Sequence, residues 1–213
     1  PVLWRQEFYG SIESLTGAVY ASFNKTNIKA VRDNGGPIIV GMDFNRSPFC
    51  ACVMQIQADN LTVLEEIVLI ESDTREMALE IRKRYPQREV LCCPDPTGAR
   101  KQTSSLGLSD HAILKDIGGF KVYAPRAPWQ ISDKVNATRL MILDAAGNRR
   151  LKVAPGCKKL IRSLRLLEFA SDKSVPDPKS QHGHMVDALS YACIALSKNL
   201  LPYQVGGSDF AVY

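Results

Sequence analysis

From residue 36 onward the apolar positions fall into short runs whose period changes in a regular order. PIIVGMD is a continuous apolar run closing on an acid, the pattern of a strand buried on both faces. FCACVMQIQ follows as a second strand, ADN as a turn, and LTVLEEIVLIE as a third strand rich in β-branched residues. TREMALEIRKRYP shifts to helical spacing, with Thr74 as the expected N-cap and Pro86 as the stop. REVLCC reads as a fourth strand and SDHAILKDIG as a short helix capped by Ser109 or Asp110 and ended by Gly118. FKVYAP is a fifth strand, SDKVNATRLMILDAA a helix, and RRLKVAP a short strand. GCKKLIRSLRLLEFA is a strongly amphipathic helix, and HMVDALSYACIALSKN is the last long one.

Residues 1–36 read instead as a lead-in segment wrapped on the domain surface, with Trp4, Phe8 and Tyr20 as anchors. The domain is expected to span 37–200, and 201–213 form a tail. Three strands in a meander, then helix, strand, helix, strand and further helices, describe an α/β fold with a mixed central sheet flanked by helices. A pure βαβ repeat would not open with a meander, whereas the ribonuclease-H-like arrangement does.

The acids acquire meaning against this frame. Asp43 follows strand one and Asp95 follows strand four, in LCCPDPTG. If those strands are neighbours, the two carboxylates sit about 5 Å apart in backbone terms. Each alone could be a turn residue; together they repel, and a cation is the usual remedy. In HGHMVDALSYA, at about 100° per residue, Met185, Leu189, Ala192, Cys193 and Leu196 gather on the side that packs on the sheet. His184, Asp187 and Tyr191 gather on another side, so that His184 and Asp187 can touch a common object. The alternative is a helix-start histidine beside a surface acid.

Asp43, Asp95 and Asp187 would make an oxygen-rich site suited to Mg²⁺ or Mn²⁺ and not to zinc. Two such ions about 4 Å apart are a standard device for splitting a phosphodiester, and Asp43, at the centre of the sheet, is the best placed to bridge them. His184 could orient water, donate a proton or sit beside one ion. Glu65 and Glu66, which straddle both faces of strand three, and Asp110 and Asp177 compete for the site and rank below the trio. Asn45 and Ser47 could serve a metal-bound water or a phosphate, or simply form an Asx-type turn.

Charge bears on the partner. The 213 residues carry 27 basic and 22 acidic side chains, a net +5 that permits nucleic acid without demanding it. Lys158, Arg162 and Arg165 form a stripe with Lys159 at its edge, opposite Leu160, Ile161, Leu164 and Leu167. Such a stripe can follow a DNA backbone or be a solvated face. Arg149, Arg150 and Lys152 extend it from an expected hairpin, and Arg100 and Lys101 would hang over the acids. Arg82, Lys83 and Arg84 read as ordinary helix-end residues. The six cysteines lack zinc-site spacing and read as buried thiols of a reducing compartment. No apolar run approaches the roughly 20 residues that span a bilayer. No GxxxxGK[ST] phosphate loop occurs, and no aromatic pattern suggests base stacking.

IIVGMDFNRSPF, VLCCPDPTGAR and HGHMVDALSYA, in that order, resemble the C-terminal nuclease domain of the large terminase subunit of tailed double-stranded DNA phages. KVNATRLMILDAAGNRRLKVAPGCKKLIRSL resembles that family's helix–hairpin–helix segment, and WRQEFYG its linker from the ATPase motor. The resemblance implies a ribonuclease-H-like endonuclease that cuts concatemeric viral double-stranded DNA during genome packaging, in the cytoplasm of the infected bacterial host. It implies Asp43, Asp95 and Asp187 as ligands of two Mg²⁺ or Mn²⁺ ions, with His184 beside the last. The implied partners are the motor domain, a small terminase subunit and a portal ring. No ATPase activity is expected of this chain. A junction-resolving or RNA–DNA-hybrid nuclease of the same fold, and a non-catalytic basic docking domain, remain open at this level.

Overall fold

The computed structural model describes residues 17–100, 108–171 and 175–202, and within them six strands form one sheet in the order β5-β4-β1-β2-β3-β6. The strands are β1 (Ile38–Asp43), β2 (Phe49–Gln57), β3 (Asn60–Leu69), β4 (Val90–Pro94), β5 (Lys121–Val122) and β6 (Leu151–Val153). The helices are α1 (Thr74–Arg84), α2 (Asp110–Asp116), α3 (Ile131–Ile142), α4 (Lys158–Leu166) and α5 (Gly183–Ser197). β1, β2 and β3 pair antiparallel as the expected meander, while β4 joins β1 and β5 joins β4 in parallel.

Strand alternation divides the core into two layers. Ile38, Val40 and Met42 of β1 and Val90 and Cys92 of β4 pack with Met77, Ile81, Leu114 and Phe120 from the α1/α2 side. Ile39 of β1 and Leu91 and Cys93 of β4 face the other way, into the layer built by α3, α4 and α5. By the same parity Gly41, Asp43 and Asp95 belong to the α5 side. All six residues of β1 are buried, so the strand is covered on both faces as its apolar run predicts.

Gly41 sets the distance between the layers. A Cβ at this position would lie 1.9 Å from the Ala188 carbonyl oxygen of α5, so the helix backbone rests directly on the strand. No side chain can yield there, because the obstacle is main chain.

Several expectations are corrected. Asp73, not Thr74, caps α1, accepting from the Glu76 amide at 2.9 Å in a reciprocal capping box. Thr74 is buried instead, donating to Asp110. β5 keeps only two residues of the expected strand. The basic segment at 149–152 is not a hairpin: β6 is the edge strand and pairs in parallel with β3, Leu151 opposite Leu61. Arg82 is no ordinary helix-end residue, since it hydrogen-bonds the carbonyls of Arg88, Gly118 and Gly119 and stands over the Phe120 ring.

Part of the expected lead-in is woven into the core. Val19, Tyr20 and Phe23 are buried, and Tyr20 is an anchor as read from the sequence; Trp4 and Phe8 lie outside the described residues. Asn27 is fully buried, donating from Nδ2 to the Ile142 and Leu151 carbonyls at 3.1 Å each. It thereby ties the end of α3 to β6. All six cysteines are buried and unpaired, and burial pushes the Cys50 thiol up to about 11.

Gly41→Ala is expected to cost about 3 kcal/mol or more, as an overpacked backbone contact must open. Gly156→Ala, whose added Cβ meets nothing within 4 Å, is expected to be near neutral. Urea denaturation of the two variants beside the wild type measures the difference, and equal midpoints would show that α5 does not rest on β1.

Candidate metal and nucleic-acid site

Two strand ends and one helix build the site. Asp43 is the last residue of β1, 8% exposed, and its Oδ2 lies 2.9 Å from His184 Nδ1. The other ring nitrogen of His184 faces the Asn45 amide nitrogen at 3.1 Å. The imidazole is therefore held between a carboxylate and an amide, both from the GMDFN stretch.

Asp95 begins the turn after β4. Its backbone amide donates to the Met42 carbonyl at 3.0 Å, which fixes it beside Asp43 across the parallel pair. One carboxylate oxygen accepts from the Thr97 amide at 2.8 Å. His111 Nε2 sits 2.9 Å from the Asp95 carbonyl oxygen. The Phe44 ring lies against Gly98, where a Cβ would approach the ring to 2.1 Å, so the Asp95 turn is clamped onto the end of β1.

Asp187 projects from α5, one turn beyond His184, and its Oδ1 accepts from Lys134 Nζ of α3 at 2.7 Å. That ammonium also stands 4.6 Å from the Tyr191 ring centroid. Burial pushes the Tyr191 phenol far above its ordinary range, and the charges of Asp95, Asp187 and Asp43 push it further. The Asp43 carboxyl is likewise raised, first by burial and then by Asp187 and Asp95, while His184 opposes the rise. The three acids from distant segments thus share one electrostatic environment.

As they stand, no three His, Cys, Asp or Glu side chains among the described residues form a group able to hold a metal ion. Each acid has its own partner: His184 for Asp43, the Thr97 amide for Asp95, Lys134 for Asp187. Like charges separate and take local partners when nothing stronger unites them. The donor set nevertheless fits a hard divalent cation in its chemistry, because it is all carboxylate oxygen and mutually repelling.

The competing acids are placed elsewhere. Glu65 accepts from the Tyr85 hydroxyl and pairs with Arg84 on the α1 side. Glu66, on the opposite face, accepts from the Lys159 and Leu160 amides and caps α4. Asp110 joins Thr74 at 2.6 Å in a cleft of about 710 Å³ that also borders Phe44 and Asn45. Asp177 stabilises its own loop by accepting from the Lys179 amide. Ser47 contributes its carbonyl oxygen to Asn45.

Lys158, Arg162 and Arg165 are exposed along α4, with Leu160, Leu164 and Leu167 buried behind them. Lys159 and Arg162 lie near enough to hold the His182 imidazole below its usual value, after burial, and Lys159 also acts on His184. The stripe therefore borders the acids. Arg149 and Arg150 point elsewhere: Arg149 donates to the Ser22 carbonyl and Asn27 Oδ1, and Arg150 pairs with Asp144. Arg100 is exposed at the end of the Asp95 turn, and Lys101 lies outside the described residues. Lys134 and His111 are functional candidates that the sequence pattern alone does not single out. The available signal for Lys134 is its place on the stripe of Ala137, Thr138 and Met141, where a lysine needs a buried partner.

No protein-family model matches the chain, and no curated protein matches it. Solved structures do. The large terminase of a thermophilic bacteriophage superposes with a TM-score of 0.65 at 15% identity, over 83% of this chain and 44% of that one. The chain thus spans less than half of that protein. The P22 large terminase nuclease domain gives 0.60 at 14% identity, over 84% of this chain and 91% of the other. The large terminase nuclease domain of bacteriophage SPP1, solved with bound Mn, gives 0.51 at 16%, over 78% and 94%. The expected resemblance is borne out at the level of the fold: a ribonuclease-H-like mixed sheet flanked by helices.

The three histidines differ in a way that tests the site in metal-free protein. Asp43 raises His184 above 6.5, whereas burial lowers His111 and His182. With Asp43 ionised, the His184 pair therefore contributes stability in full below 6.5 and loses it as pH rises through the raised folded value. NMR titration in EDTA should show one imidazole midpoint above 6.5 and two below, with Asp43→Asn bringing His184 down. A His184 midpoint below 6.5 would break the Asp43 pairing.

Proposed function

We propose that this chain is a metal-dependent DNA endonuclease that hydrolyses phosphodiester bonds of concatemeric viral double-stranded DNA during genome packaging. The supporting observation is that Asp95, from the β4 turn, and Asp187, from α5, lie near enough for their charges to act on Asp43 at the end of β1, with the basic stripe of α4 at their border. Asp43, Asp95 and Asp187 would hold two divalent cations, Mg²⁺ or Mn²⁺. When bound, these ions would supply the positive charge that activates a water and stabilises a leaving 3′ oxygen.

The chain's own residues do the rest. Asp43, buried and anchored by His184, fixes the centre of the site. His184 carries a proton at Nδ1 toward Asp43 and presents Nε2 to Asn45, so the same ring can orient a polar group at the mouth. Lys158, Arg162 and Arg165 lead phosphates toward the acids and confer salt-dependent affinity without sequence reading. The motor domain, small terminase subunit and portal would be its partners, in the cytoplasm of an infected bacterium, and the ATPase would reside outside this chain.

A non-catalytic docking domain draws support from the separated acids, and a junction or hybrid nuclease shares the same residues. Plasmid, four-way-junction and RNA–DNA-hybrid substrates, each with Mn²⁺, Mg²⁺ or EDTA, distinguish all three. Plasmid nicking with metal is expected, lost in EDTA and reduced by roughly 100-fold or more in Asp43→Asn and Asp187→Asn. Retention of DNA without turnover in any metal would leave only docking. Replacing both Arg162 and Arg165 by Ala should flatten the slope of log affinity against log salt by about 2.

A further inference from the structure

Lys134 is a buried cation at the place where the site calls for one. It is 9% exposed, on the inward stripe of the first turn of α3, and its ammonium reaches Asp187 Oδ1 at 2.7 Å. The ring of Tyr191 lies under it at 4.6 Å, and the charges of Asp95 and Asp187 both act on that phenol. The lysine thereby braces Asp187 directly and packs on the aromatic ring beside it. A lysine is rarely buried merely to pair with a carboxylate that is itself 41% exposed, since desolvating the ammonium costs more than a half-wet partner returns.

We propose that Lys134 is a positioning residue that serves as the site's internal counter-cation, occupying Asp187 until a divalent ion takes its place. This rests on the metal-dependent reading of the site. Without such a cation Asp187 would face Asp43 and Asp95 unscreened, and α5 would be pushed from the sheet at its site end. With it the acids wait in place. The ammonium then competes with the incoming ion for Oδ1, and metal affinity is set below what three carboxylates alone would give. The separated acids and the Lys134–Asp187 pair are two aspects of one arrangement.

Mn²⁺ binding to the full chain, measured by calorimetry and by the electron-paramagnetic signal of free Mn²⁺, tests this without an activity assay. Lys134→Gln and Lys134→Met are expected to bind Mn²⁺ about 10-fold more tightly than wild type, since a unit charge a few Å away is removed. Both should lose melting temperature in EDTA and recover it with Mn²⁺, and Lys134→Arg should keep wild-type affinity. Unchanged Mn²⁺ affinity in folded Gln and Met variants would make Lys134 purely structural and overturn the proposal alone. Absence of Mn²⁺ binding by wild type would overturn the metal-site reading beneath it. Should the variants not fold, the Lys134 Nζ resonance of wild type decides: it should shift as Mg²⁺ saturates, and an unmoved resonance refutes displacement.

Discussion

The backbone contact between Gly41 and Ala188 is the constraint on which the site depends. α5 carries His184 and Asp187 in its first two turns, while β1 ends on Asp43 two residues after Gly41. Direct contact of helix and strand main chain brings those groups within hydrogen-bond reach; an ordinary side chain in between would hold the layers further apart. The helix can sit so close because nearly everything it presents to its surroundings is buried, with small Ala188, Ala192 and Ala195 along its length. Close packing and site assembly are therefore one event. Dispersion and apolar burial position a set of charges that would otherwise drift apart.

Those charges pose the opposite problem. Burial raises the cost of ionising Asp43, and the charges of Asp187 and Asp95 raise it further. The fold answers with three different cationic or donor groups: an imidazole, a peptide amide and an ammonium. The imidazole and the ammonium come from α5 and α3, which both pack on the same sheet face, so the compensation is built from the layer that creates the crowding. The amide comes from the Asp95 turn itself, held down by Phe44 and His111.

Legibility from sequence follows the range of the interaction. Period-two and period-3.6 patterns are local, and they locate the meander, the parallel β4 and the acid-bearing ends of β1 and β4. They also place His184 and Asp187 on one side of α5. What escapes them is set by distant partners. β6 lines up with β3 because Leu61 and Val63 meet Leu151 and Val153 across the sheet, which a short basic run does not advertise. Asn27 reads as linker because its partners, Ile142 and Leu151, are more than a hundred residues away. Arg149 reads as surface charge for the same reason, while the Asp144 that holds Arg150 lies only six residues back but across a turn. Thr74 suits an N-cap by residue type, yet Asp73 and Glu76 make the capping box, a local signal that the chain does display.

The basic stripe of α4 is tied to the acids through Glu66. Its two oxygens accept from the Lys159 and Leu160 amides, satisfying donors that a helix start leaves open, and its charge suits the positive end of the helix. Glu66 stands opposite Cys52 on β2, and Cys50, on the same face of that strand, stands opposite Asp43. A carboxylate on the sheet thus determines where a helix of cations begins, and places Lys159 near His184. This acid, a competitor of the trio for metal by sequence, instead holds the start of the basic helix. The sheet carries both the negative centre that would hold cations and the anchor of the positive rim that would meet phosphates, so their spacing is fixed by strand geometry and not by a flexible loop.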